Sequence, residues 1–176
     1  MRWRLAGWST IGSHYVLLSV SKATNNTSEE TVMDIHPANK VATRKASADW
    51  FSGTVWQDPI VDATAPARVR SARVSFEPGA RTNWHHHPLG QTLYVVSGTG
   101  RVQTWGGPVR EIHAGDSIWI PPLEKHWHGA TPTQGMVHIA IHESLDGNHV
   151  TWLEKVTDAE FTATPSPANS SSVRTS

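Results

Sequence analysis

The chain has 176 residues, 38% of them hydrophobic, with a formal net charge of +0 and a pI near 7.2. That length suits one domain with a core of its own. The charge balance leaves no electrostatic footprint for nucleic acid or an anionic membrane. Cysteine is absent, which excludes disulfides, thiolate metal ligands and a cysteine nucleophile, and no run of about 18 apolar residues offers a spanning helix.

Residues 1–32 differ in character from the remainder of the chain. Arg2 and Arg4 precede a weakly apolar stretch that ends in "YVLLSVSKA". Gly12, Ser13 and His14 interrupt it, a poor match to a secretory peptide. A mitochondrial presequence is compatible, because no acid occurs before Glu29. The plainer expectation is a disordered addition ahead of Met33. Asn25 and Asn26 stand in glycosylation sequons, which matter only in a secreted chain.

Residues 33–161 are expected to form the domain. "ARVSFEPGA", "QTLYVVSGTG", "RVQTWGGPV", "EIHAGDSIWIPP", "KHWHGATP" and "MVHIAIHE" each read as a short strand closed by a turn. Such spacing predicts an all-β sandwich or barrel. "DGNHVTWLEKVTDAEF" predicts a short C-terminal helix or irregular cover, and the small, polar, proline-bearing residues 162–176 predict a disordered tail. Trp50, Trp56 and Trp152 are expected over the barrel ends or a dimer face. Trp84, Trp105, Trp119 and Trp127 are expected in core or pocket wall.

Histidine is the compositional outlier. Eight of eleven fall between positions 85 and 142. Alternation along a strand puts His85 and His87 on one face and turns His86 towards solvent or an interface. It likewise pairs His126 with His128, and groups His138, Ala140 and His142 against the aliphatic Val137, Ile139 and Ile141. Parity does not say which of those last two sets faces inward. His113 and His149 are read as ordinary hydrogen-bonded residues. A small barrel could bring a His-x-His pair, Gln91 from the hairpin neighbour and a histidine from a later strand together. Three imidazoles and an amide oxygen suit Mn, Fe, Co, Ni or Zn, and four ligands on an octahedral ion leave two positions open.

Two spacings carry a family resemblance: Gly79-x5-His85-x-His87-x3-Gln91-x6-Gly98 and Gly115-x5-Pro121-x4-His126. They resemble the paired motifs of the cupin superfamily, whose double-stranded β-helix, a jelly-roll barrel, holds a metal on three His and usually one Glu. Here Gln91 replaces the Glu. Leu123 stands where the turn glycine is expected, so that loop is expected to take a different conformation. Wider text, including "ADWFSGTV", "SFEPGARTNWHHHPLGQTL", "EKHWHGATPT" and "LDGNHVTWLEKVTD", is similar to the bacterial cupin-type, manganese-dependent hydroxynitrile lyases over about Ala48 to Phe161.

The resemblance implies metal ligands His85, His87, Gln91 and His126, catalytic histidines His138 and His128, and a substrate pocket shaped by Thr82, Ala72, Val74 and His142. Those relatives carry Gln at the last position, a difference that bears on acid–base behaviour or substrate preference. The implied cofactor is Mn(II), with Fe(II), Zn(II), Co(II) or Ni(II) as alternatives. The implied substrate is a cyanohydrin or the aldehyde or ketone it releases, the implied assembly a homodimer or homotetramer, and the expected location cytoplasmic. Gln91, unlike a carboxylate, leaves the metal's charge uncancelled. An oxygen-dependent cupin dioxygenase and a non-enzymatic ligand-binding cupin are the alternative functions.

Overall fold

The computed structural model describes residues 33–167; expectations for residues 1–32 and 168–176 lie outside the described residues. Twelve strands form: β1 (Arg44–Lys45), β2 (Phe51–Ser52), β3 (Val55–Asp62), β4 (Val69–Phe76), β5 (Arg81–Thr82), β6 (His85–His86), β7 (Gln91–Thr104), β8 (Arg110–His113), β9 (Ser117–Ile120), β10 (His126–Ala130), β11 (Met136–Glu143) and β12 (Thr151–Trp152). A five-residue helix, α1 (Asp158–Thr162), comes after them.

All strand pairs are antiparallel, along the path β1-β3-β4-β11-β7-β10-β5-β2. The sheet curls into a jelly-roll because β7 serves two neighbourhoods. Gln91–Gly98 pairs with β11, and Gly100–Thr104 pairs with β10. Gly98 stands at the crossing with φ +77, where a Cβ would lie 2.0 Å from the Gly135 carbonyl oxygen. Only glycine meets both conditions.

Alternation decides what each face buries. On β11 the histidine set turns inward, and Val137, Ile139 and Ile141 take the outer face, half-buried or exposed. On β10, His126 and His128 face the interior, and Trp127 turns away yet is fully buried. It is covered because Trp84, Val109, Val156 and Phe161 pack round it, which puts the C-terminal segment over the outside of the sheet. The expected short helix forms at the end of that segment. Thr157 caps it in a capping box with Glu160, and the preceding residues instead contribute β12. The expected tail begins inside the helix, and Ser166 N–H still donates to the Val109 carbonyl.

The tryptophan expectations divide. Trp84 and Trp127 are core, whereas Trp105 and Trp119 are 56% and 61% exposed, a correction. Each lies against something small or charged: Trp105 beneath the Lys125 ammonium, 3.3 Å from its ring centroid, and Trp119 against Gly90. Trp50 is exposed and stacks at 5.6 Å on Trp152.

The turn before β10 also corrects an expectation. Leu123 takes the left-handed conformation, φ 62, that the glycine would have supplied. Its N–H donates to the His87 carbonyl at 2.8 Å, so the hydrogen bond holds the turn although the side chain is 64% exposed. Left-handed backbone costs a non-glycine residue about 1–2 kcal/mol, and glycine's entropy returns about 0.5–1 kcal/mol of that. We therefore predict that Leu123→Gly raises the unfolding free energy by about 0.5–1 kcal/mol in urea titrations, whereas Leu123→Ile lowers it.

Candidate metal centre

The residues singled out from sequence converge. His85 comes from β6, Gln91 from the start of β7, His126 and His128 from β10, and His138 and His142 from β11. His87 lies directly after β6. All of these but His126 line a cavity of about 120 Å³ whose other wall is apolar, formed by Phe51, Ala72, Val74, Ala140, Val150 and Trp152. Thr82 also lines it and accepts a hydrogen bond from the His128 N–H at 3.2 Å.

Main-chain carbonyls set three of the rings. His85 Nδ1 lies 3.0 Å from Asn83 O, His87 Nδ1 2.6 Å from His149 O, and His126 Nδ1 2.7 Å from Glu124 O. A carbonyl only accepts, so each Nδ1 carries the proton. In a neutral ring Nε2 is then a lone pair.

Burial keeps the rings neutral. His85 is held well below its ordinary value, first by burial and then by His126 and His87. His87 and His126 are lowered to about 4, again mainly by burial. Burial, then His138, holds His128 well below the usual range, and burial lowers His138 to about 3.

The atoms left over fit a cation. His87 Nε2 is buried with no hydrogen-bond partner among the described residues. His126 Nε2 faces Gln91 Oε1 at 3.1 Å. A neutral His126 with its proton on Nδ1 has nothing to donate there, so two lone pairs meet. A positive ion between them removes the repulsion, and the N and O donors suit a borderline divalent metal.

Two sets of three histidines compete as ligands. The nitrogens of His85, His126 and His128 lie within 4.8 Å of one another. His87 is outside that group, yet its ring centroid, 5.2 Å from that of His85 and 5.8 Å from that of His126, is as near to them as that of His128, at 5.2 and 5.9 Å. His128 Nδ1 lies 3.2 Å from His138 Nε2, so one ring donates to the other. His128 Nε2, like His87 Nε2, is buried with no hydrogen-bond partner among the described residues.

Sequence reasoning missed part of the cavity. Gln57 lines it, and the alternation Val55-x-Gln57 on β3 is the signal that could have found it. His149 makes a side-chain hydrogen bond, as expected, with Arg70, but it also lines the cavity and supplies the carbonyl for His87. No periodicity marks it, because it lies in a loop. His86 is half-buried rather than solvent-facing, with a buried Nδ1, because β12 pairs over it at Thr151. His113 is exposed and absent from the cavity lining, 3.9 Å from Glu111.

Known proteins share this arrangement of strands. Residues 72–142 match the cupin domain family. The chain is 56% identical over 129 residues to an (R)-mandelonitrile lyase from Granulicella tundricola, covering 73% of this chain and 98% of that protein. It is similar to the solved structure of a cupin-like protein from Thermotoga maritima, at 43% identity and TM-score 0.64, covering 66% of this chain and 89% of that one. A polyketide cyclase from Streptomyces resistomycificus shares the fold at 18% identity and TM-score 0.54, over 74% of this chain and 91% of that one.

His138 gives a stability test in the metal-free protein. Its folded pKa lies near 3 against an ordinary 6.5. Above 6.5 neither state binds the proton; below it the unfolded chain does and the folded chain does not. Stability is thus lost as pH falls from 6.5 towards 3, at about 1.4 kcal/mol per pH unit. Between about pH 7.5 and about pH 5, we predict that wild type loses about 2 kcal/mol more than His138→Leu, measured as urea unfolding free energies.

Proposed function

The chain belongs to the cupin family, and we propose that it is a metal-dependent hydroxynitrile lyase that splits and forms cyanohydrins. The observation that carries this is the convergence of three carbonyl-oriented histidines and a neutral amide beside a second, mutually bonded histidine pair. The 56% identity to an (R)-mandelonitrile lyase supports the reaction class.

In this reading His85, His87, Gln91 and His126 hold the ion, Mn(II) first, with Fe(II), Zn(II), Co(II) or Ni(II) suited to the same donors. His87 is preferred to His128 because a carbonyl fixes its proton on Nδ1, whereas His128 Nδ1 faces the His138 ring, which can donate or accept. When bound, the ion supplies Lewis acidity, which can lower a bound water's pKa from about 15.7 to about 7. Because Gln91 is neutral, it offsets none of that charge.

The remaining residues handle the proton and the substrate's shape. The apolar wall with Ala72, Val74 and Trp152 receives the organic substituent, and Thr82 steadies the strand that carries His128. His138 and His128, neutral and 3.2 Å apart, take the cyanohydrin's hydroxyl proton. The C–CN bond then breaks, its electron pair leaves with cyanide, and the carbonyl forms. The protonated pair returns its proton to cyanide, giving HCN and an aldehyde or ketone. His142, beside His87 at 4.6 Å between ring centroids, borders this space and tunes its basicity or substrate preference.

The outer sheet face exposes Tyr94, Val96 and Ile141, which supports a homodimer or homotetramer. The relative's bacterial source favours a cytoplasmic setting over mitochondrial import for a domain spanning 33–161. No described helix is long and apolar enough to cross a membrane.

The test is anaerobic mandelonitrile cleavage by Mn(II)-loaded protein. We expect His126→Ala to lose both metal and activity. His138→Ala should keep the metal and lose about 10²–10⁴-fold in kcat. Full activity in His138→Ala would remove that residue from the reaction, and turnover that requires oxygen would replace the lyase with an oxygenase.

A further inference from the structure

Of the three carbonyls that orient the histidines, two are local: Asn83 and Glu124 each stand two residues before the ring they hold. The third is not. His149 lies 62 positions from His87, in the loop between β11 and β12. Its carbonyl can fix His87 only if something fixes the loop.

The loop is closed at its start. Leu145 and Asn148 exchange backbone hydrogen bonds of 2.8 and 2.9 Å, with Asp146 at φ 51 and Gly147 at φ 81 between them. These are the two left-handed positions of a tight hairpin turn. Pairing resumes at Thr151, opposite His86. His149 falls between, and there the side chain takes over. Arg70 Nη1 lies 3.0 Å from His149 Nδ1. Guanidinium only donates, so Nδ1 must be the acceptor and the ring's proton sits on Nε2. The other end of the guanidinium donates to Asp62 at 2.9 Å, and Asp62 and Arg70 are register partners on β3 and β4. The His142 ring lies stacked against His149 at 5.3 Å.

We propose that Arg70 is a positioning residue of the metal centre: through the His149 ring it holds the loop whose main-chain carbonyl fixes the tautomer and aim of His87. This rests on the proposed role of His87 as a ligand. Arg70 is half-buried and absent from the cavity lining, so its hydrogen-bonded link to the centre runs through His149. Without the clamp the loop drifts, the Nδ1–H of His87 loses its partner, and the proton redistributes onto Nε2, where it competes with the metal.

The test uses the full chain with Co(II) as the probe. Long-range ¹H–¹⁵N correlation of the metal-free protein should find His87 as the neutral Nδ1–H tautomer in wild type and as a mixture of the two neutral tautomers in Arg70→Leu and His149→Leu. His85 and His126 should keep their Nδ1 protons throughout. Co(II) affinity should fall about ten-fold in both variants. His149→Asn, whose amide oxygen can stand where Nδ1 stood, should restore affinity and tautomer. His149→Leu gives the same readings should Arg70→Leu fail to fold. Wild-type affinity and an intact His87 Nδ1–H in the leucine variants would overturn the assignment of Arg70 alone. A wild-type chain that takes up no Co(II) would overturn the metal reading as well.

Discussion

A proton on Nδ1, held by a main-chain carbonyl, is the constraint on which the centre depends. It recurs at His85, His87 and His126, and in each case it leaves the opposite nitrogen bare. The backbone is the better anchor for this purpose because a carbonyl has one role and no titration of its own. The fold makes the anchors available. β6 and β10 pair at His85 and His126, and the turn before β10 is tied to the His87 carbonyl through Leu123. A left-handed leucine is tolerated there because the hydrogen bond it secures lies next to two of the rings.

Burial supplies the second half. Seven histidines, from His85 to His149, are all shifted towards the neutral form, and in every case burial is the first cause. A cluster of imidazoles in water would share protons and repel one another once charged. In this cavity they stay neutral, which preserves their lone pairs, as the proposed metal and proton-acceptor roles require. Gln91 belongs to the same logic. A carboxylate in its place would partly compensate any bound ion, whereas an amide orients an oxygen without lending charge.

Much of the centre is legible in the sequence because strand alternation is a local rule. The pairs His85/His87 and His126/His128 follow from period two alone, as does the grouping of His138 with His142. What the rule cannot supply is what lies over a strand. Trp127 and Trp119 sit on similar strands, yet one is buried by the C-terminal segment and the other stands exposed. His149 and Arg70 are illegible for the same reason: their contacts span 62 and 79 positions and join a loop to the sheet. Leu123 shows the reverse case, where a local preference against left-handed backbone is real and a hydrogen bond overrides it.

The proposed neutral ligand set would leave the ion's charge free to act on the substrate, and Gln91→Glu removes that neutrality in a single substitution. The measurement is Mn(II) affinity alongside kcat for mandelonitrile cleavage under anaerobic conditions. We expect the variant to bind Mn(II) at least as tightly as wild type while kcat falls about ten-fold or more, equivalent to about 1.4 kcal/mol of lost transition-state stabilisation. Undiminished kcat in a fully loaded Gln91→Glu protein would contradict it.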